Sequence, residues 1–221
     1  DEGWRSILDP ATFLKHFLVG EFSGNTDTYW SVYQYKQRSE NTIYTGPVWD
    51  FDIAFNNDNR TYPIQKKTNY IYLSGSHAGN MKNFVNQIIL NDPNTTAELT
   101  AIWTQARQNG LNETAMLNFV DSLAMVIDAS QKLNFMRWPI LNKYVHMNPQ
   151  VAGSYDGEVA VLKQYIQDRI KWMDTKLNYV PSTGLDDISA SEVSGRKILL
   201  NNQLVIIRNG KHYNAQGIMI H

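Results

Sequence analysis

Cysteine is absent from all 221 residues, which excludes disulfides, thiolate metal ligation and a thiol nucleophile. Long apolar runs are missing as well. A membrane helix needs about 20 apolar residues, and the most apolar stretch, Ile198 to Ile207, is interrupted by Asn201-Asn202-Gln203. No transmembrane segment is therefore expected. Nor is there an excess of one charge: 20 Lys and Arg stand against 21 Asp and Glu. Without a basic field, nucleic acid and anionic membrane surfaces are poor partners. The sequence opens on Asp1-Glu2-Gly3-Trp4 with neither an initiator Met nor a signal segment, and it reads as the C-terminal part of a longer protein. What it does contain is 43% hydrophobic residues, enough for one main core and a small appendage.

Asp9-Pro10 followed by Phe13, Leu14, Phe17 and Leu18 reads as an N-cap, a first-turn proline and a helical apolar stripe. The bulky run Tyr29-Trp30-Ser31-Val32-Tyr33-Gln34-Tyr35 suits a strand with one face in the core, pairing with residues 42–48 as a hairpin. Residues 56–79 show no period and read as an irregular surface segment. Helical signals follow. They run from Met81 to Leu90, from Asp92-Pro93 to near Gly110, from the Asn112 cap through Lys132, and over a short piece from Trp138 to Val145. Val159, Leu162, Ile166, Ile170, Met173 and Leu177 form one buried stripe at 3-4 spacing. Residues 181–187, Pro-Ser-Thr-Gly-Leu-Asp-Asp, break the composition as a linker. Beyond them, short apolar runs with Asn201-Asn202 and Asn209-Gly210 between them read as a tiny β unit. Three Asn-x-Thr triplets, at Asn59, Asn94 and Asn112, are too short a pattern to carry weight.

One loop concentrates possible chemistry. In Gly46-Pro47-Val48-Trp49-Asp50-Phe51-Asp52 two carboxylates follow a strand and lie among Trp49, Phe51 and Phe55. Apolar neighbours exclude water and strengthen a carboxylate–cation contact, and hard divalent ions take such oxygens together with phosphate. An Asp-x-Asp after a strand is also a common turn or helix cap. His77, a loop histidine between Gly75 and Gly79 with no second ligand-spaced partner, reads as solvated.

Asn25-Thr26-Asp27, Tyr29, Ser31-Val32-Tyr33-Gln34-Tyr35 and Gly46 to Phe55, taken together, resemble the active segment of the CotH family of atypical protein kinases. The likeness continues through Leu90-Asn91-Asp92-Pro93, Ile102-Trp103, Arg137-Trp138-Pro139 and the helix bearing Arg169, Ile170, Trp172 and Leu177. It thus extends from Pro10 to Leu177. The resemblance implies that Asp27 is the catalytic-loop aspartate that orients or deprotonates the acceptor hydroxyl. It implies that Asp50 binds Mg²⁺ (or Mn²⁺) on the phosphates of ATP, with Asp52 as an auxiliary ligand. Ser31 stands where many members carry Asn and would be a shorter oxygen donor to a second metal.

The expected fold is α+β and mainly α. It comprises a kinase-like C-lobe over residues 1–180, with a small hairpin at the site, then a linker over 181–187 and a β module over 188–221. No Gly-x-Gly-x-x-Gly precedes Asp27, so the nucleotide-covering N-terminal lobe is expected outside this chain and the 221 residues alone are expected to transfer little or no phosphate. The expected function of the full protein is Mg-ATP-dependent phosphorylation of a protein hydroxyl. The alternative is a non-catalytic surface module that binds a glycan or protein, suggested by Ser31 and the aromatics of residues 62–72. The terminal β unit, with Gly195-Arg196-Lys197-Ile198, resembles modules of exported Bacteroidetes proteins, which implies the periplasm, outer membrane or cell surface.

Overall fold

The first helix, α1 (Pro10–Ser23), begins where its chemistry allows. The Asp9 side chain accepts from the Thr12 amide, Pro10 fills a position whose N–H is unneeded, and Gly24 ends the helix at φ 69°. The structure is a computed structural model that describes residues 3–59, 68–73, 78–181, 195–200, 203–208, 211–214 and 218–220. The reading of His77 and most of the linker reading lie outside these residues. The chain is α+β and mainly α, and it divides into two compact units, Asp1–Tyr179 and Val180–His221.

In the first unit, β1 (Gln34–Lys36) and β2 (Ile43–Thr45) form an antiparallel hairpin with Tyr35 opposite Tyr44. The hairpin is fastened to the N-terminal side of α1. Ile43 exchanges backbone bonds with Ile7 and Asp9, and the Thr45 amide donates to Thr12 Oγ1 at 3.2 Å. The strand expected from Tyr29 onward begins only at Gln34. Residues Thr26–Tyr29 form a 3-10 turn that sends the Tyr29 ring into the core, and β1 is exposed on both faces. Bulky residues alternate there, but tertiary burial rather than pleating decides where each one goes.

Helix α2 (Gly79–Phe84) runs into a π-turn, Val85–Ile89. Helix α3 (Thr95–Gln108) starts two residues later than the Pro93 that Asp92-Pro93 suggests, because the Asp92 carboxylate is already engaged. It accepts from the Asn94 amide, Trp4 Nε1 and Arg5 Nε, while Arg5 also forks onto both Glu98 oxygens at 3.0 Å. The single run expected through Lys132 is two helices, α4 (Glu113–Val126) and α5 (Asp128–Arg137). The break is at Ile127, whose ψ of 7° leaves the helical region. The short helix expected from Trp138 to Val145 is absent and turns replace it. Pro139 explains this, since it has no N–H and drives Trp138 out of the α region, to ψ 86°.

Helix α6 (Tyr155–Lys176) is capped by Ser154 and carries the expected stripe. Ile166, Ile170, Met173 and Leu177 are buried against Phe13, Phe17, Phe22 and Trp103 of the same core, while Val159 and Leu162 are only half-buried. In the second unit β3 (Gly195–Leu200), β4 (Gln203–Arg208), β5 (Lys211–Tyr213) and β6 (Met219–Ile220) form one antiparallel sheet in that order. The turn residues Asn201-Asn202 and Asn209-Gly210 lie outside the described residues; the strands on either side pair Leu200 with Gln203 and Arg208 with Lys211.

Two charges sit within the apolar stripes. Glu21 of α1 and Arg169 of α6 are both fully buried and pair at 3.3 Å. Arg169 also donates to the Glu21 carbonyl from Nε at 2.8 Å and to the Asn69 carbonyl at 2.7 Å, and it stacks over Trp172. The Glu21 carboxylate accepts from the amides of Ile71 and Tyr72 and from the Tyr29 hydroxyl. Burial pushes the Glu21 carboxyl upward, opposed by the Arg169 guanidinium and these donors. Burial and the facing carboxylate hold the Tyr29 phenol well above its ordinary value.

Arg169→Ala strips a buried carboxylate of its countercharge and is expected to cost about 3–5 kcal/mol in urea unfolding. Arg169→Lys is expected to restore little, since an ammonium cannot reach both carbonyls as a planar fork does; full recovery by lysine would contradict this geometry. A second expectation concerns His16, whose pKa burial lowers from 6.5. The unfolded state then holds more protons just below pH 6.5, so His16 stabilises fully above that value and its contribution drops as pH falls toward the native pKa. His16→Gln should flatten the loss of stability in urea melts between neutral and mildly acidic pH.

Candidate active site

The C-terminus of α1 aims the chain into the candidate site. Gly24 turns it, and Asn25, 1% exposed, comes next. The Asn25 carboxamide works at both ends: Oδ1 accepts from the Asp27 amide and Nδ2 donates to the Asp50 carbonyl, each at 3.1 Å. The backbone at Asp27 and at Asp50 is thus separated by one carboxamide and two hydrogen bonds. Ser31 belongs to the same turn, because its amide and that of Trp30 both donate to the Asp27 carbonyl. The Asp27 residue is half-buried, whereas Ser31, Asp50 and Asp52 are exposed.

The second loop is held in an uncommon conformation. After the cis Gly46-Pro47 bond, Asp50 lies at φ 55°, Phe55 at 55° and Asn56 at 62°. Asp and Asn tolerate the left-handed region; a bulky Phe there is an outlier that neighbours must enforce. They do so through the Phe55 amide, which donates to the Ser23 carbonyl at 2.6 Å, and through the Phe55 ring, edge-on to Phe22 and Tyr165. The loop is therefore clamped to the end of α1 at both Asp50 and Phe55. Tyr33 and Trp49, ring centroids 5.5 Å apart, stand beside it, with Tyr35 stacked on Tyr44 further along the hairpin.

Asp52 is placed differently from Asp50. Its carbonyl accepts from Asn57 Nδ2 at 2.9 Å, and it lines a cleft of mixed character with Asn56, Asn148, Glu158, Val161 and Leu162. Two buried oxygens flanking the site, Thr26 Oγ1 and Asn56 Oδ1, make no hydrogen bond among the described residues. Among the described residues no group of three or more His, Cys, Asp or Glu is gathered as for a metal ion.

The role of Asn25 has no signal in composition or spacing. Glu21 and Arg169 do have one: each is the ionisable residue at a stripe position, Glu21 following Phe13 and Phe17 at intervals of four, and Arg169 between Ile166 and Ile170. Opposite charges within two apolar faces imply that those faces meet.

Gly20 sets how closely α1 approaches the Asp27 turn. A Cβ at Gly20 would lie 2.2 Å from Thr28 Oγ1 and 2.7 Å from Thr28 Cβ. Gly20→Ala gains about 1 kcal/mol of helix propensity but overpacks a buried β-branched residue at a cost of roughly 1–3 kcal/mol. Thermal unfolding should show net loss, recovered when Thr28→Ala is added. A Gly20→Ala protein that melts above the parent would refute this packing.

Comparison with curated proteins and with solved structures finds no match. The family model described as CotH kinase protein, in contrast, matches residues 2–173, which span both loops, the hairpin and nearly all of α6. The chain belongs to the CotH kinase protein family.

Proposed function

We propose that these residues supply the acceptor and metal side of a phosphoryl-transfer site that uses Mg-ATP, or Mn-ATP, to phosphorylate a hydroxyl of a protein substrate. The observation that carries this reading is the Asn25 carboxamide, which ties the backbone at Asp27 to the backbone at Asp50. The donor set fits the cation: carboxylate oxygens are hard ligands, and Mg²⁺ is commonly held by one or two carboxylates, with phosphate and water completing the shell. Bound there, the metal would neutralise charge on the phosphates. Asp50 would hold it, with Asp52 and Ser31 as auxiliary oxygens. Asp27 would orient the acceptor hydroxyl and take its proton. The exposed rings of Tyr33 and Trp49 would reduce water access on the hairpin side.

The second reading is a non-catalytic module that binds a glycan or a protein, favoured by Ser31 and by the exposed rings of Trp30, Tyr33, Tyr35 and Trp49. For either activity we propose an exported protein acting in the periplasm, at the outer membrane or at the cell surface, on the likeness of the terminal β unit to modules of exported proteins.

Calorimetric titration of ATP with Mg²⁺ into the full-length protein distinguishes the readings. Asp50→Ala is expected to abolish metal-dependent nucleotide binding. Asp27→Ala should keep binding but slow transfer by about 10²–10⁴-fold. Nucleotide binding indifferent to Asp50→Ala would sink the kinase reading. Glycan or protein binding that survives both substitutions would establish the second.

A further inference from the structure

An apolar groove of about 560 Å³ separates α1 from α3, and no residue of the Asp27 turn or the Asp50 loop lines it. Its α1 wall is Lys15, Leu18, Val19 and Phe22, at spacing i, i+3, i+4, i+7, so one helical face supplies the whole side. The α3 wall uses Ile102, Gln105, Ala106 and Asn109, again one face, and Leu111 closes the end. Phe22 and Trp103, the latter 1% exposed, form the floor with ring centroids 6.0 Å apart. The volume lies within the range of roughly 300–1,000 Å³ that holds small organic ligands, and an apolar lining gives ordered water too few partners.

The charge at the rim defines the ligand. Among the described residues no carboxylate lines the groove, and Lys15 is its one ionisable residue. Lys15 is exposed and has no ion pair among the described residues. The nearest cation in sequence on α3, Arg107, is not part of the lining and is bound to Asp174 and the Leu111 carbonyl. A ligand that fills this groove therefore meets an apolar floor and a single positive charge. The amides of Gln105 and Asn109 stand on the opposite rim.

We propose that the groove binds a small amphipathic monoanion, an aliphatic or aryl carboxylate of medium length. Its apolar body lies against Leu18, Phe22 and Trp103, and its carboxylate is at the Lys15 ammonium. The site is independent of the phosphoryl-transfer reading and is tested without nucleotide.

The experiment is calorimetric titration of the 221-residue chain with decanoate, below its micellar concentration, and with decanol as the neutral analogue. Decanoate is expected to bind one per chain. Lys15→Ala should weaken decanoate by about two- to fivefold, the range of a solvent-exposed ion pair, and leave decanol unchanged. Ala106→Trp fills the groove and should remove binding of both. Val19→Trp, at a position already 42% exposed, does the same from the rim should the first variant fail to fold. Absence of saturable decanoate binding overturns the site. Binding that neither tryptophan variant disturbs also overturns it, because it then lies elsewhere. Decanol binding as tightly as decanoate, with Lys15→Ala silent, overturns the assignment of an anion.

Discussion

The buried pair of Glu21 and Arg169 is the constraint on which the first unit depends. Two charges removed from water cost several kcal/mol each, and their attraction alone does not offset this. Here the remaining hydrogen-bonding capacity is filled as well: Glu21 takes two backbone amides and a phenol, and Arg169 takes two carbonyls and a ring face. A pair of leucines could fill the same volume with comparable stability, but it would not specify direction. The ions do. They fix the end of α1, the segment from Asn69 to Tyr72, the Tyr29 ring and the middle of α6 relative to one another, and Asn25 follows four residues after Glu21.

That placement explains how an irregular loop is kept in one conformation. Asp50, Phe55 and Asn56 all lie in the left-handed region, which costs of order 1–3 kcal/mol for each residue that does not favour it. The loop has little regular structure of its own to meet this cost. It draws instead on the Ser23 carbonyl, the Asn25 carboxamide and the rings of Phe22 and Tyr165, all anchored by the helices. Strain at a loop bearing two exposed carboxylates is consistent with a site that must present oxygens rather than bury them.

Elements encoded locally were legible. Asp9-Pro10 announces α1, and the stripe from Ile166 to Leu177 announces the buried half of α6, because capping and periodicity are properties of adjacent residues. Features that depend on distant partners were not. Tyr29 looks like a strand residue until Glu21 claims its hydroxyl, and Asp92 looks like a helix cap until Trp4 and Arg5, more than 80 positions away, take its carboxylate. Asp50 stood out with Asp52 as a carboxylate pair among aromatic residues after a strand, whereas Asp27 came into view through resemblance to a family. The bridge between them is a single amide whose partners lie 2 and 25 residues away, and no pattern in a sequence announces such a bond.

The separation of Glu21 from Arg169 along the chain, 148 residues, also sets an order of events during synthesis. The guanidinium that locks the end of α1 is made more than a hundred residues after either candidate aspartate. Until it arrives, Glu21 must stay hydrated and the turn beside it has no fixed bearing. A nascent chain therefore carries the acidic loops without the geometry that joins them, and the site closes only as the last helix of the unit docks.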